Sequence, residues 1–194
     1  MEGKLFIVSA PSGAGKTSLV DEILARLMPQ YPIDRLVTYT SREIRGGEKH
    51  GKDFFFVSPK EFEMRVQQGF FIEWSNEYGH YYGSPKQVQK DLQDGMSRVL
   101  VIDRKGAKQV VEHIKKPVLI WIYTHGLDVL KNRLLKRGKN SSEQIEKRLK
   151  IAKFELEEEQ KNKFYRHHIL NDIFADAAAS LESVFVSELL NRST

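Results

Sequence analysis

Ala10-Pro11-Ser12-Gly13-Ala14-Gly15-Lys16-Thr17 follows the apolar run Leu5-Phe6-Ile7-Val8 and leads into an amphipathic stretch over 16–28. Strand, glycine-rich turn and helix in that order are the context of a phosphate-cradling loop. The glycines let successive backbone N–H groups converge on phosphate oxygens, and the following helix presents its positive end to them. Lys16 supplies a cation for the β- and γ-phosphates, and the Thr17 hydroxyl an oxygen for Mg²⁺. The strict pattern has glycine where Ala10 stands, so the match is one residue short, and the flanking strand and helix carry the reading. The chain is expected to bind a nucleoside triphosphate.

Outward from this loop, apolar runs at 4–9, 97–103 and 117–123 alternate with helical patterns at 16–28, 104–115, 126–137 and 142–162. The alternation predicts an α/β fold with a mainly parallel, buried sheet between helical layers. Weaker strand candidates at 34–39 and 167–171 complete the sheet, and 175–191 reads as a closing helix. Residues 42–96 differ: Phe54-Phe55-Phe56-Val57, Phe70-Phe71-Ile72-Glu73-Trp74 and Tyr81-Tyr82 predict a small antiparallel lobe inserted in the core. The expected organisation is one domain over 1–194, with core 1–41 and 97–194 and inserted lobe 42–96. Ser58-Pro59-Lys60-Glu61, Ser84-Pro85-Lys86-Gln87 and Ser141-Ser142-Glu143-Gln144 each place Glu or Gln three residues after a serine, which predicts three capped helix starts.

A chain of 194 residues accommodates one sizeable core. At 40% hydrophobic and 29% charged it has an ordinary globular composition, and no run approaches the roughly 20 apolar residues of a membrane span. The first strand consumes residues 1–9 without an export pattern, so a cytoplasmic location is expected, with no membrane partner. Absence of cysteine excludes disulfides and thiolate metal sites and fits a reducing compartment. The net charge of +5 suits either nucleic acid or phosphorylated small molecules. No basic stretch is interleaved with aromatics and no nucleic-acid-binding motif appears, so no nucleic-acid polymer is expected as a partner. His167-His168 point to opposite faces of a strand and read as structural rather than metal-binding. The charges along 142–162 read as a solvated face with local pairs.

Further along, Tyr39-Thr40-Ser41-Arg42-Glu43-Ile44-Arg45-Gly46-Gly47-Glu48 with His50-Gly51, then Phe71-Ile72-Glu73-Trp74, Tyr81-Tyr82-Gly83-Ser84, Asp103 with Gly106-Ala107, the series Arg133, Arg137, Arg148, and Asn171-Asp172 follow in order. Together with the phosphate loop, whose Ala10 is tolerated there, these blocks resemble guanylate kinases from the first strand almost to the end of the chain. The resemblance implies a P-loop core, a GMP-binding lobe, a helical lid near 137–148, and transfer of a phosphoryl group from ATP, held with Mg²⁺, to GMP. It implies ATP contacts from Ala10 through Ser18, with Arg133 and Asn171 near adenine. GMP contacts are implied for Thr38, Arg42, Arg45, Glu73, Tyr82, Ser84 and Asp103.

Chemistry supports these assignments without settling each one. Arg42 and Arg45 can present two guanidinium forks to one phosphate, or simply form a solvated basic loop. A carboxylate in the apolar run around Glu73 is costly unless partnered, and the N1–H and N2–H₂ edge of guanine is a donor pair it can accept. Ser84 reads equally as a helix cap, Tyr82 as a core aromatic, and Asp103 as either a cap or an acid at the carboxyl end of a strand. Arg133 and Arg137 share a helical face; Lys16, Arg42, Arg137 and Arg148 are the candidates for neutralising charge on the transferring phosphoryl group. Three departures from the family pattern stand out: Phe54 replaces a tyrosine, Val101 replaces the first carboxylate of an Asp-x-Asp pair, and Tyr123-Thr124-His125-Gly126 replaces a proline-serine type of connection. Two alternatives are a P-loop kinase for a ribose bisphosphate and a non-catalytic phosphopeptide-binding module. The set Glu73, Tyr82 and Ser84 argues against the first, and the intact Gly13, Gly15, Lys16 and Thr17 against the second.

Overall fold

Leu5-Phe6-Ile7-Val8 is apolar at every position, which suits a strand covered on both faces, and the computed structural model makes it β1 (Leu5–Ser9), buried throughout. The structure describes residues 2–77, 79–136, 138 and 141–191. The chain divides into two compact units: Met1–Leu5 with Pro32–Pro117, and Phe6–Tyr31 with Val118–Thr194. No helix among the described residues is long and apolar enough to cross a membrane.

In the unit built around β1, the strand pairs in parallel with β8 (Val118–Tyr123), which pairs in parallel with β9 (His167–Leu170). The connection from β8 to β9 is helical, as parallel pairing requires. The helices are α1 (Lys16–Leu27), α5 (Leu127–Lys136), α6 (Ser142–Lys161) and α7 (Phe174–Leu190). Leu19, Val20, Ile23, Leu24 and Leu27 recur at helical spacing and form the buried face of α1. Phe6 of β1 stacks on Phe185 of α7 with centroids 4.3 Å apart, and Trp121 of β8 stacks on Tyr165 at 5.1 Å.

The other unit holds a parallel pair, β2 (Ile33–Arg35) with β7 (Ser97–Val101), and a four-stranded sheet of order β4-β3-β6-β5. Its strands are β3 (Thr38–Thr40), β4 (Phe54–Phe56), β5 (Phe71–Glu77) and β6 (His80–Pro85). The aromatic strands expected within 42–96 are present, but the sheet is mixed: β3 pairs in parallel with β4, whereas the β3–β6 and β5–β6 ladders are antiparallel. The single strand expected over 34–39 is two strands, because the chain leaves the β7 ladder after Arg35 and enters the second sheet at Thr38. Helix α2 (Pro59–Gln67) buries Phe62 against Phe71 and Tyr81, at centroid distances of 4.5 and 5.1 Å. Helices α3 (Gln87–Gln93) and α4 (Arg104–His113) pack on β7 and β5 respectively.

Two of the three expected helix caps form: Ser58 accepts the Glu61 amide, and Ser141 makes the full reciprocal box with Gln144. Ser84 does not cap α3. It lies inside β6, α3 starts later at Gln87, and the Ser84 hydroxyl is used elsewhere. The acidic end of α6 is also not wholly a solvated face. Glu159 is buried and accepts the amides of Phe164 and Tyr165 and a contact from His168 Nε2 at 3.0 Å, while Lys153 and Glu157 make the expected local pair.

Candidate active site

The loop after β1 turns on an Ala14 amide to Pro11 carbonyl bond and reaches α1 through Gly15, whose φ of 86° is left-handed. A Cβ at Gly15 would also lie 2.5 Å from Asn171 Nδ2, so conformation and space both require glycine. No side chain caps α1, and a helix N-terminus of this kind favours an anion. Lys16 is the first helical residue and half-buried; Thr17 and Ser18 follow it, exposed. Ala10, Pro11 and Ala14 are buried, and Ser12 and Gly13 half-buried.

Three sequence-expected side chains converge on this loop from later elements. Asn171, directly after β9, donates from Nδ2 to the Ala14 carbonyl at 2.7 Å. Arg133 of α5 donates to the Asn171 carbonyl at 2.7 Å and reaches the Ala14 carbonyl at 3.5 Å. Arg148 of α6 donates to Ser12 Oγ at 2.9 Å. Arg137 lies outside the described residues. Beside the loop is a cleft of about 390 Å³ lined by Gly13, Gly15, Ser18, Arg133, Lys136, Asn171, Asp172 and Phe174. Asn171 Oδ1 is buried and accepts no hydrogen bond from the described residues, an acceptor left over for a ligand's donor.

Sequence reasoning gave no role to the neighbouring contact. The His125 amide donates to Asp172 Oδ1, and the His125 ring pairs through Nδ1 with Asp172 Oδ2. The ring hydrogen bond holds the Asp172 carboxyl below its usual range. The unusual 123–126 connection therefore fixes an acid at the rim of the cleft. The only signal for it was the histidine itself, whose partner lies 47 residues away.

The acceptor-side residues lie in the other unit. Glu73 of β5 is only 4% exposed, and a register shift between Phe71 and Glu73 sets it opposite Ser84 of β6. Ser84 Oγ donates to Glu73 Oε1 at 2.5 Å. Burial dominates the Glu73 carboxyl and pushes it up, the Ser84 bond opposes this, and the nearby Asp103 charge adds to the rise, to about 7. Asp103 is the cap of α4, its Oδ1 accepting the Gly106 amide at 2.7 Å, and its Oδ2 accepts from Ser75 Oγ at 3.4 Å. Thr38 is buried in β3, and Tyr82 half-buried in β6, so Tyr82 is not a fully enclosed core aromatic.

Arg42 is buried, which excludes the solvated-loop reading for it; Arg45 is exposed. The Arg42 guanidinium lies 5.6 Å from the Phe54 ring centroid and 5.7 Å from that of Phe56. It donates to the Glu43 carbonyl at 2.6 Å and to both Glu48 oxygens at 2.8 and 3.0 Å. The Arg45 amide also donates to Glu48. Burial disfavours the charged form of Glu48, but the Arg42 hydrogen bond and Arg45 amide outweigh it and hold the carboxyl low. Glu48 is thus a further member of this cluster, and its place three residues after Arg45 in a glycine turn was the sequence signal for it.

One unit holds a glycine-rich loop with basic side chains at the start of a helix, and the other a buried carboxyl group and a buried guanidinium. A family model described as guanylate kinase matches residues 2–188. The chain belongs to the guanylate kinase family. Among curated relatives, the guanylate kinase of Polaromonas sp. (strain JS666 / ATCC BAA-500) is 38% identical over 192 residues, covering 98% of this chain and 90% of the relative. That of Protochlamydia amoebophila (strain UWE25) is 40% identical over 189 residues, covering 96% and 92%. The crystal structure of guanylate kinase from Anaplasma phagocytophilum superposes with a TM-score of 0.76 at 27% identity, covering 98% of this chain and 88% of that one. Like these guanylate kinases, the chain is an enzyme of the α/β class.

Proposed function

We propose that the protein is an ATP:GMP phosphotransferase. The bond between the γ-phosphorus of ATP and its bridging oxygen breaks, a phosphate oxygen of GMP bonds to that phosphorus in line, and ADP and GDP result. No covalent enzyme intermediate is needed. The observation that carries this reading is the guanylate kinase match across residues 2–188, in a chain whose phosphate loop is intact. Nothing favours the sugar-phosphate or phosphopeptide alternatives.

In this reading the loop Ala10 through Ser18 holds the triphosphate, Lys16 neutralises its β- and γ-phosphates, and Arg137 and Arg148 stabilise charge spread over the transferring oxygens. Arg133 and Asn171 border the adenine, and the unused Asn171 Oδ1 suits an amino-group donor. Mg²⁺ enters with ATP as part of the substrate; Thr17, an exposed hydroxyl at the start of α1, suits an ion that keeps most of its ligands from water and phosphate. Bound there with ATP, the ion would supply positive charge against the triphosphate oxygens. On the acceptor side, Glu73 accepts from guanine N1–H and N2–H₂, Ser84, Thr38 and Asp103 border the base, and Arg42, Arg45 and Tyr82 hold the GMP phosphate. The lobe over 42–96 serves acceptor binding and the 137–148 segment is the lid. The compartment we propose is the cytoplasm.

The test is ADP release in a coupled assay with GMP, dGMP, AMP and ribose bisphosphate offered separately. GMP should support the fastest turnover; preference for AMP or the sugar phosphate contradicts the assignment.

A further inference from the structure

Helix α4 is capped by Asp103 and carries Gly106 in its first turn. Inside a helix glycine is less favourable than every residue except proline, and Gly106 is not among the residues with positive φ, so conformation does not call for it. Space does. A Cβ at this position would lie 2.7 Å from Glu73 Oε2 and 3.3 Å from Glu73 Cδ, the first closer than real Cβ contacts come. The carboxylate has little room to yield, because Glu73 is buried and Ser84 holds its other oxygen at 2.5 Å. The Gly106 amide meanwhile donates to Asp103 Oδ1 at 2.7 Å. One residue therefore meets both acids: its N–H fixes Asp103, and its missing side chain leaves the space that Glu73 Oε2 fills.

We infer that Gly106 is a positioning residue for guanine recognition, holding the Glu73 carboxylate where both its oxygens are placed by the fold. The inference rests on the assignment of Glu73 as the acceptor of guanine's donors. Two adjacent donors on the base need a carboxylate in one orientation, so a methyl group at 106 that turns Oε2 aside leaves a base N–H unpaired. Nucleotide binding at the phosphate loop has no part in this contact.

The experiment is calorimetric titration of GMP and, separately, ATP into the wild type, Gly106→Ala, Glu73→Asp and the double variant, with thermal melting of each. Gly106→Ala should weaken GMP by about tenfold or more, leave ATP affinity unchanged, and lower the melting temperature only through the clash with Glu73, which Glu73→Asp relieves. Glu73→Asp should also weaken GMP, and the double variant should bind no worse than Glu73→Asp alone, because the shorter side chain vacates the space that the methyl takes. Wild-type GMP affinity in Gly106→Ala overturns the inference, as do losses that simply add in the double variant. Equal losses of GMP and ATP, or a fall in melting temperature that Glu73→Asp does not restore, mark Gly106 as structural and overturn it too. If Glu73→Asp alone binds GMP like the wild type, the Glu73 assignment fails, and the inference with it.

Discussion

A carboxyl group with one oxygen on a serine hydroxyl and almost no water around it gives up its proton late, and Glu73 does so near pH 7 instead of 4.5. Between those values the folded protein holds a proton that the unfolded chain has lost, so unfolding releases it. Stability from this group is present below about pH 4.5 and is lost as pH rises through about 7. Glu73→Gln removes that dependence: its melting temperature relative to the wild type should climb between about pH 5 and about pH 8. Ligand binding has the opposite sign, since only the ionised carboxylate accepts both guanine donors. Wild-type GMP affinity should rise with pH through neutrality, and Glu73→Gln should weaken GMP by about tenfold or more while sparing ATP, as separate titrations would show. Phe54 makes a second residue-scale prediction. Its ring lies by Arg42 and edge-on to Tyr82, at a centroid distance of 6.1 Å. A restored phenol on the GMP phosphate is worth about 1.5–3 kcal/mol, so Phe54→Tyr should tighten GMP roughly ten- to a hundredfold in a direct titration. No change would mean that position 54 does not face that phosphate.

At the scale of elements, the readings that held were those in which the signal and its partner lie within a few residues. The strand-loop-helix around Gly13 and Gly15 and the capping box at Ser141 are of this kind. Ser84 was ambiguous because serine, proline and a glutamine three residues on describe a cap as well as a strand end; the choice was made by Glu73, 11 residues earlier, whose buried carboxyl group needs the hydroxyl. The split of 34–39 was hidden for a similar reason, since two short strands of different sheets read as one run. Glu159 looked like part of a solvated acidic run, yet its partners are backbone amides beyond the end of α6, which no periodicity reveals. Removing it leaves those amides unsatisfied, so Glu159→Ala should cost about 2–4 kcal/mol in urea unfolding. Exposed Glu157, in a pair at 3.9 Å, should cost under about 1 kcal/mol when changed to alanine.

For the whole molecule, one unit carries the glycine-rich loop with Lys16, Arg133 and Arg148, the other a buried acid and guanidinium at Glu73 and Arg42, and we propose that they serve donor and acceptor respectively. Family membership accounts for that combination, and the roles we assign divide along the same line, with the loop variants acting on the donor and the Glu73 variants on the acceptor. The most direct test is the rate of ADP and GDP formation from ATP and GMP by the wild type and by Lys16→Ala, with circular dichroism of both. The wild type should form the two products in equal amounts, and Lys16→Ala should lose about a thousandfold or more in rate with its spectrum unchanged, because the main cation at the β- and γ-phosphates is gone and no core residue is touched. Near-wild-type turnover by a folded Lys16→Ala protein would contradict the account.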